Sequence, residues 1–158
     1  MHGKTTVINL LERLYEPQQG EIRINQKDYR QYSISSIREK IGYIMQEVQI
    51  VPDTIIDNIK YVNKKITKDE IIEILKKLKL HEKIMSLPKG YQTNLYENPD
   101  ILSTGEKQMI SFARIMAMNP DVIILDEVTS SLSWGNEELI KNAIDKVTKR
   151  KDYFYDCS

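Results

Sequence analysis

Cysteine is almost absent from this sequence: Cys157 stands alone in 158 residues and can close no internal disulfide, which fits a reducing compartment. Long apolar runs are missing as well. No stretch approaches the ~18 consecutive apolar residues of a membrane span. The start, Met1 to Thr6, lacks the charged-then-apolar order of a signal peptide, so a soluble, cytoplasmic chain is expected. Neither sign of charge is in excess. Lys and Arg together number 23 and Asp and Glu together 23, leaving no basic surplus for nucleic acid and no acidic tail. Short basic runs such as Lys76-Lys77 and Lys149-Arg150-Lys151 read as solvated faces. Internal repeats and low-complexity linkers are also absent.

The sequence does have the material of one globular domain, at 41 % hydrophobic and 29 % charged residues. After Gly3-Lys4-Thr5-Thr6, the residues Val7, Ile8, Leu10, Leu11 and Leu14 recur at helical spacing, in a helix expected to end at Pro17 and Gly20. Glu21 to Asn25 alternates as a half-buried strand does. Ser33 to Lys40 reads as a short helix and Ile41 to Met45 as a buried strand. From Thr54 to Met118 the pattern is mostly helical. Thr67 with Glu70 forms a capping-box signature ahead of the stripe Ile71, Ile74, Leu75 and Leu78. Glu106 to Met118 is expected to bury Met109, Ile110, Ala113 and Met116. Beyond Pro120, the run Val122-Ile123-Ile124-Leu125 predicts a strand covered on both faces, as in a parallel sheet. The fold class is therefore α/β with a helical insertion.

Three segments carry chemistry. Gly3-Lys4-Thr5-Thr6 opens a helix, as the second half of the phosphate-loop pattern GxxxxGK[ST] does. There, small residues let backbone N–H groups converge on phosphate, a lysine neutralises its oxygens and a hydroxyl holds Mg²⁺. Asp126 and Glu127 end an apolar strand at the sheet edge where ligands of open α/β folds bind. The first acid suits Mg²⁺ and the second can take a proton from a water attacking a γ-phosphate. Leu102 to Gln108 leads into a helix whose N-terminus, at Ser103 and Gly105, favours an anion. Ordinary N-capping by Ser103 or Thr104 is the alternative reading of the same residues.

Taken in order, these segments resemble the ATP-binding cassette (ABC) family along nearly the whole chain. Gly3 to Thr6 looks like the end of Walker A, and Gln46 like the Q-loop glutamine after a strand. Leu102 to Gln108 resembles the LSGGQ signature and Val122 to Glu127 the Walker B strand, with Ser130 to Ser133 where the D-loop belongs. The resemblance implies a P-loop NTPase with a RecA-like parallel-sheet core over residues 1–52 and 119–158. An ABC helical subdomain carrying the signature would be inserted at residues 53–118. It further implies that Gly3, Lys4, Thr5, Thr6, Gln46, Ser103, Thr104 and Gly105 contact ATP, that Thr5, Gln46 and Asp126 serve Mg²⁺, and that Glu127 and Gln46 act in catalysis. Leu10 to Pro17, Thr54 to Ile59 and Gly90-Tyr91-Gln92-Thr93 with Glu97 look like the exporter branch. The implied partners are a second ABC ATPase domain and an exporter's transmembrane domain. The implied location is the cytoplasmic side of the membrane, with nucleic acid not a partner. Soluble ABC ATPases of repair or translation usually show coiled coils or basic insertions, and none is seen.

Some residues depart from the family pattern. Thr104 stands for the first signature glycine, Glu106 for the glutamine and Ser133 for the D-loop aspartate; the last is expected to slow or uncouple turnover. Met1 stands where the loop should have a glycine, so a shortened phosphate cradle and weakened ATP affinity are expected. At the other end, Lys149 to Ser158 does not look like the family's last strand and switch histidine. Codons available to Arg150 to Ser158 would, one base later, encode an apolar stretch closing on Ala and a possible His. A tail read out of frame is therefore expected, with a divergent, frayed C-terminus as the alternative reading. The competing functional reading is an inactive truncated or frameshifted remnant of the same domain.

Overall fold

The computed structural model describes residues 3–45, 48–126, 142, 145 and 152–156, of which residues 3–5, 126 and 152–156 are described by their backbone. The chain divides into two compact units, residues 1–41 and 42–158.

The first unit opens with α1 (Gly3–Leu11). This helix stops earlier than its apolar spacing predicts. Arg13 adopts φ 52°, and Leu14 N–H turns back to the Asn9 carbonyl at 2.8 Å, so Leu14 lies outside the helix and is 52 % exposed. The Arg38 guanidinium donates to the Glu12 carbonyl at 2.9 Å just beyond the helix end. A strand is present where Glu21 to Asn25 alternates, but only as β1 (Arg23–Ile24), which pairs antiparallel with β2 (Lys27–Asp28). Between them Asn25 and Gln26 both take positive φ, 50° and 64°, the geometry of a type I′ two-residue hairpin. A 3-10 turn, Tyr29–Gln31, buries Tyr29, over whose ring the Arg13 guanidinium sits at 5.2 Å. Ser33 then caps α2 (Ile34–Arg38) by accepting from Ser36 N–H.

Among the described residues a three-stranded sheet, all but Ile41 in the second unit, has the order β3 (Ile41–Ile44), β4 (Val122–Asp126), β5 (Asp152–Asp156). Strands β4 and β5 run parallel, in register from Val122 opposite Asp152 to Asp126 opposite Asp156. Ile123, Ile124 and Leu125 are all buried, as a strand covered on both faces requires. The segment Asp152–Asp156, expected to depart from strand form, is a strand. Its Tyr153-Phe154-Tyr155 centre has the aromatic composition that pleated backbone favours.

The helical stretch resolves into α3 (Ile55–Lys60), α4 (Lys68–Lys77), α5 (His81–Met85) and α6 (Thr104–Met118). The capping box of α4 is complete: Thr67 Oγ1 accepts from Glu70 N–H at 3.2 Å and Glu70 accepts from Thr67 N–H at 2.8 Å. Helices α3 and α4 pack on α6 through one core that includes Ile55, Ile59, Ile71, Leu75, Met109, Ile110 and Phe112. Met116, expected inside, is half-buried at the edge of that core. Helix α6 ends at Asn119, whose φ of 52° gives a left-handed cap, and Pro120 prevents continuation before β4 begins. Gly42 is required where β3 passes this turn. A Cβ there would stand 2.8 Å from Pro120 Cγ and 2.9 Å from Ile115 Cδ1.

Candidate functional site

Each described candidate residue falls at the end of a regular element. Gly3, Lys4, Thr5 and Thr6 form the first turn of α1, in the first unit. The first N–H groups of an α-helix lack intrahelical acceptors, which makes this end attractive to an anion. The first turn of α1 contains no acidic residue, whereas α3, α4, α5 and α6 carry Asp57, Asp69 with Glu70, Glu82 and Glu106 there. An intrahelical carboxylate therefore does not compete for the start of α1.

Ser103, Thr104 and Gly105 form the start of α6, in the second unit. Ser103 is the N-cap, with its hydroxyl accepting from Glu106 N–H at 3.2 Å. In return, the Glu106 carboxylate accepts from Ser103 N–H at 2.7 Å. The capping reading and the anion-site reading thus share one geometry, because the terminus that would greet a ligand anion holds an internal one. Ser103 and Thr104 are exposed and Gly105 is buried. Five residues in, Gln108 is 4 % exposed and its Nε2 has no partner among the described residues.

Asp126 closes β4 at the C-terminal edge of the parallel β4–β5 pair. Gln46 and Glu127 lie outside the described residues, as does the Ser130 to Ser133 segment. The structure thus places Ser103, Thr104, Gly105 and Asp126 in one unit and Gly3 to Thr6 in the other. The Mg²⁺ candidates Thr5, Gln46 and Asp126 offer a hydroxyl, an amide and a carboxylate. Such an all-oxygen donor set suits a hard cation that keeps most of its ligands as water and phosphate. Among the described residues no group of three or more His, Cys, Asp or Glu could hold a metal.

A groove of about 560 Å³, bordered by Asn63, Glu70, Glu73, Met116 and Asn119, lies at the other end of α6. A helix of this length spans ~22 Å, so the groove stands apart from Ser103. Two of its carboxylates are engaged: Glu70 closes the α4 cap and Glu73 pairs with Lys76 at 2.8 Å.

The segment singled out as exporter-like, Gly90 to Thr93, begins as a 3-10 turn in which Gly90 takes φ 49°. It is anchored inward. Tyr91 OH meets His81 Nδ1 at 2.7 Å, and the Thr93 carbonyl accepts from Ile55 N–H at 3.0 Å, while Tyr96 beyond it is exposed.

A polar network joining α3 to α6 escapes the sequence reading. Asn58 is fully buried and bonded on every side, and Arg114 donates to it from α6. The available signal was an asparagine set among Ile55, Ile56 and Ile59, on a stripe that is otherwise apolar.

Comparison with known proteins adds direct findings. The family model described as ABC transporter matches residues 2–130. The chain is 40 % identical over 145 residues to ABC transporter B family member 2 of Dictyostelium discoideum, covering 92 % of this chain and 10 % of that protein. It is also 40 % identical over 152 residues to the putative multidrug export ATP-binding/permease protein YgaD of Bacillus subtilis, covering 96 % of this chain and 26 % of the relative. A probable ABC transporter ATP-binding/permease protein of Haemophilus influenzae is 40 % identical over 149 residues, or 94 % and 27 % of the two chains. This chain therefore spans between about a tenth and about a quarter of the length of these relatives.

Proposed function

Because this chain belongs to the ABC transporter family, as an exporter-type ATPase domain, we propose that it binds Mg-ATP between two such domains and that hydrolysis drives an exporter's membrane helices. In this reading residues 1–52 and 119–158 form a RecA-like core and residues 53–118 the inserted helical subdomain. The protein works at the cytoplasmic side of the membrane. Among the described residues no helix is long and apolar enough to cross a membrane.

Gly3, Lys4, Thr5 and Thr6 hold the phosphates at the start of α1. Thr5, Gln46 and Asp126 hold Mg²⁺, which screens phosphate charge when bound. Gln46 and Glu127 orient the attacking water, and Glu127 accepts its proton. Ser103, Thr104 and Gly105 contact the nucleotide held by the opposing domain. The single observation that best supports this reading is the acid-free first turn of α1 on Gly3-Lys4-Thr5-Thr6, inside the span matched by the family model.

The test is the melting temperature with and without millimolar Mg-ATP, beside the Lys4→Ala variant. Binding at a hundred times Kd stabilises a fold by about 2.7 kcal/mol. A rise that Lys4→Ala abolishes supports the reading. No rise at millimolar nucleotide favours the inactive remnant instead.

A further inference from the structure

Between Met45 and α3 the described chain has no regular structure from Val48 to Asp53, and no sheet ladder holds it. Besides a Leu95 N–H bond to the Asp53 carbonyl at 3.2 Å, its backbone is held by two side chains rooted elsewhere. Asn58, on α3, accepts from Val51 N–H at 2.9 Å through Oδ1. Its Nδ2 lies at 3.0 Å from the Val51 carbonyl, 3.2 Å from that of Asp53 and 2.9 Å from that of Thr54. Arg114, ten positions into α6 from Thr104, completes the arrangement. Its Nε donates to the Asn58 carbonyl at 2.8 Å, Nη1 to the Gln49 carbonyl at 2.5 Å and Nη2 to Asn58 Oδ1 at 2.5 Å. All three nitrogens of the guanidinium are used, and among the described residues its acceptors are neutral oxygens. No acidic residue pairs with it in these contacts, although burial pulls its pKa below the ordinary guanidinium value.

A half-buried cation bonded to neutral oxygens still costs desolvation, and hydrophobic packing could have stabilised α3 on α6 instead. What the fork supplies that apolar packing does not is direction, since it fixes the Gln49 carbonyl and the Asn58 amide relative to α6. Gln49 lies three residues beyond Gln46, and α6 begins on Ser103.

We propose that Arg114 and Asn58 form a clamp that locks the backbone leading out of Gln46 to the helix that presents Ser103, Thr104 and Gly105, so that the two sets of nucleotide-contacting residues move as one. Arg114 is then a positioning residue for hydrolysis, acting through Gln46 and Ser103. The inference rests on the ATPase reading given above. None of the phosphate-holding residues Gly3, Lys4, Thr5 and Thr6 belongs to the clamp or to its unit, so its loss should affect turnover and leave ATP capture intact.

The test is steady-state ATPase kinetics of the intact transporter carrying Arg114→Lys, Arg114→Met, Asn58→Ala and the Asn58→Ala/Arg114→Lys pair. Each is compared with Thr67→Ala, which weakens the same helical region at a cap outside the clamp. Arg114→Lys keeps the charge and loses the fork. We expect kcat to fall about tenfold or more in Arg114→Lys, with KM for ATP within about twofold of wild type and no further loss in the pair. Hydrogen exchange at the Val51 amide should accelerate in Asn58→Ala, which removes its acceptor. Thr67→Ala should keep wild-type kcat. A kcat for Arg114→Lys within twofold of wild type overturns the clamp, as does an equal loss in Thr67→Ala, which would assign the effect to general destabilisation. An absence of hydrolysis in the wild-type transporter overturns the underlying ATPase reading, a result distinct from both.

Discussion

Ser103 and Glu106 cap one another at the start of α6, hydroxyl to N–H at 3.2 Å and carboxylate to N–H at 2.7 Å. The same reciprocal pair occurs at α4, between Thr67 and Glu70. The two helices therefore offer a matched comparison: one box lies within the signature-like segment and the other does not.

Replacing either cap residue by alanine should cost about 1 kcal/mol of stability. Ser103→Ala and Thr67→Ala should thus lower the melting temperature by similar amounts. Only Ser103→Ala should also reduce ATP turnover beyond what its lost stability explains. Denaturation midpoints and phosphate-release rates measured side by side check this.

Gly42→Ala should destabilise the protein by about 1–3 kcal/mol through overpacking. The Ile115 Cδ1 end can rotate away from the added methyl group, but the Pro120 ring, 2.8 Å from it, is fixed. The expected result is a lower urea midpoint at unchanged slope. An unchanged midpoint would show that β3 can shift at no cost.

Asp28 should titrate well below an ordinary carboxylate. Its side chain accepts from Arg30 Nε at 3.0 Å, and this bond, with the Arg30 backbone N–H, lowers its pKa from 3.8 to about 2. Because the folded-state value is depressed, the stabilisation is complete above the unfolded value near 4 and is lost as pH falls through about 2. Arg30→Ala should return the Asp28 pKa toward 3.8 in an NMR titration. Both groups face solvent, so added salt should shrink the shift.

Much of this was legible in the sequence wherever signals were local. The Thr67–Glu70 box, the start of α6 at Ser103 and the buried run Ile123-Ile124-Leu125 all follow from residues a few positions apart. Other features depended on backbone geometry that side chains announce poorly. Asn25-Gln26 lacks the glycine that marks a type I′ turn, and nothing in the type of Arg13 signals a left-handed residue ending α1. β5 was obscured because its aromatic centre differs from the apolar strand expected there. The Arg114–Asn58 contact joins positions 56 apart, and two of the arginine's three acceptors are backbone carbonyls, which no residue pattern displays. For the candidate site, the residue types were legible, as were the element ends that carry them.

Asp126→Asn and Glu127→Gln should separate two roles. The first should weaken Mg²⁺-dependent nucleotide binding, seen as loss of the extra thermal shift that Mg-ATP gives the wild type over ATP with a chelator. The second should preserve binding while slowing turnover by about 10²–10⁴-fold, the range for loss of a general base.

The most direct measurement is phosphate release from Mg-ATP by the wild-type protein and by Glu127→Gln, with nucleotide binding followed in the same samples. The expected result is saturable release by the wild type, lost in Glu127→Gln while ATP remains bound. Absence of both binding and release in the wild type at millimolar Mg-ATP would contradict it.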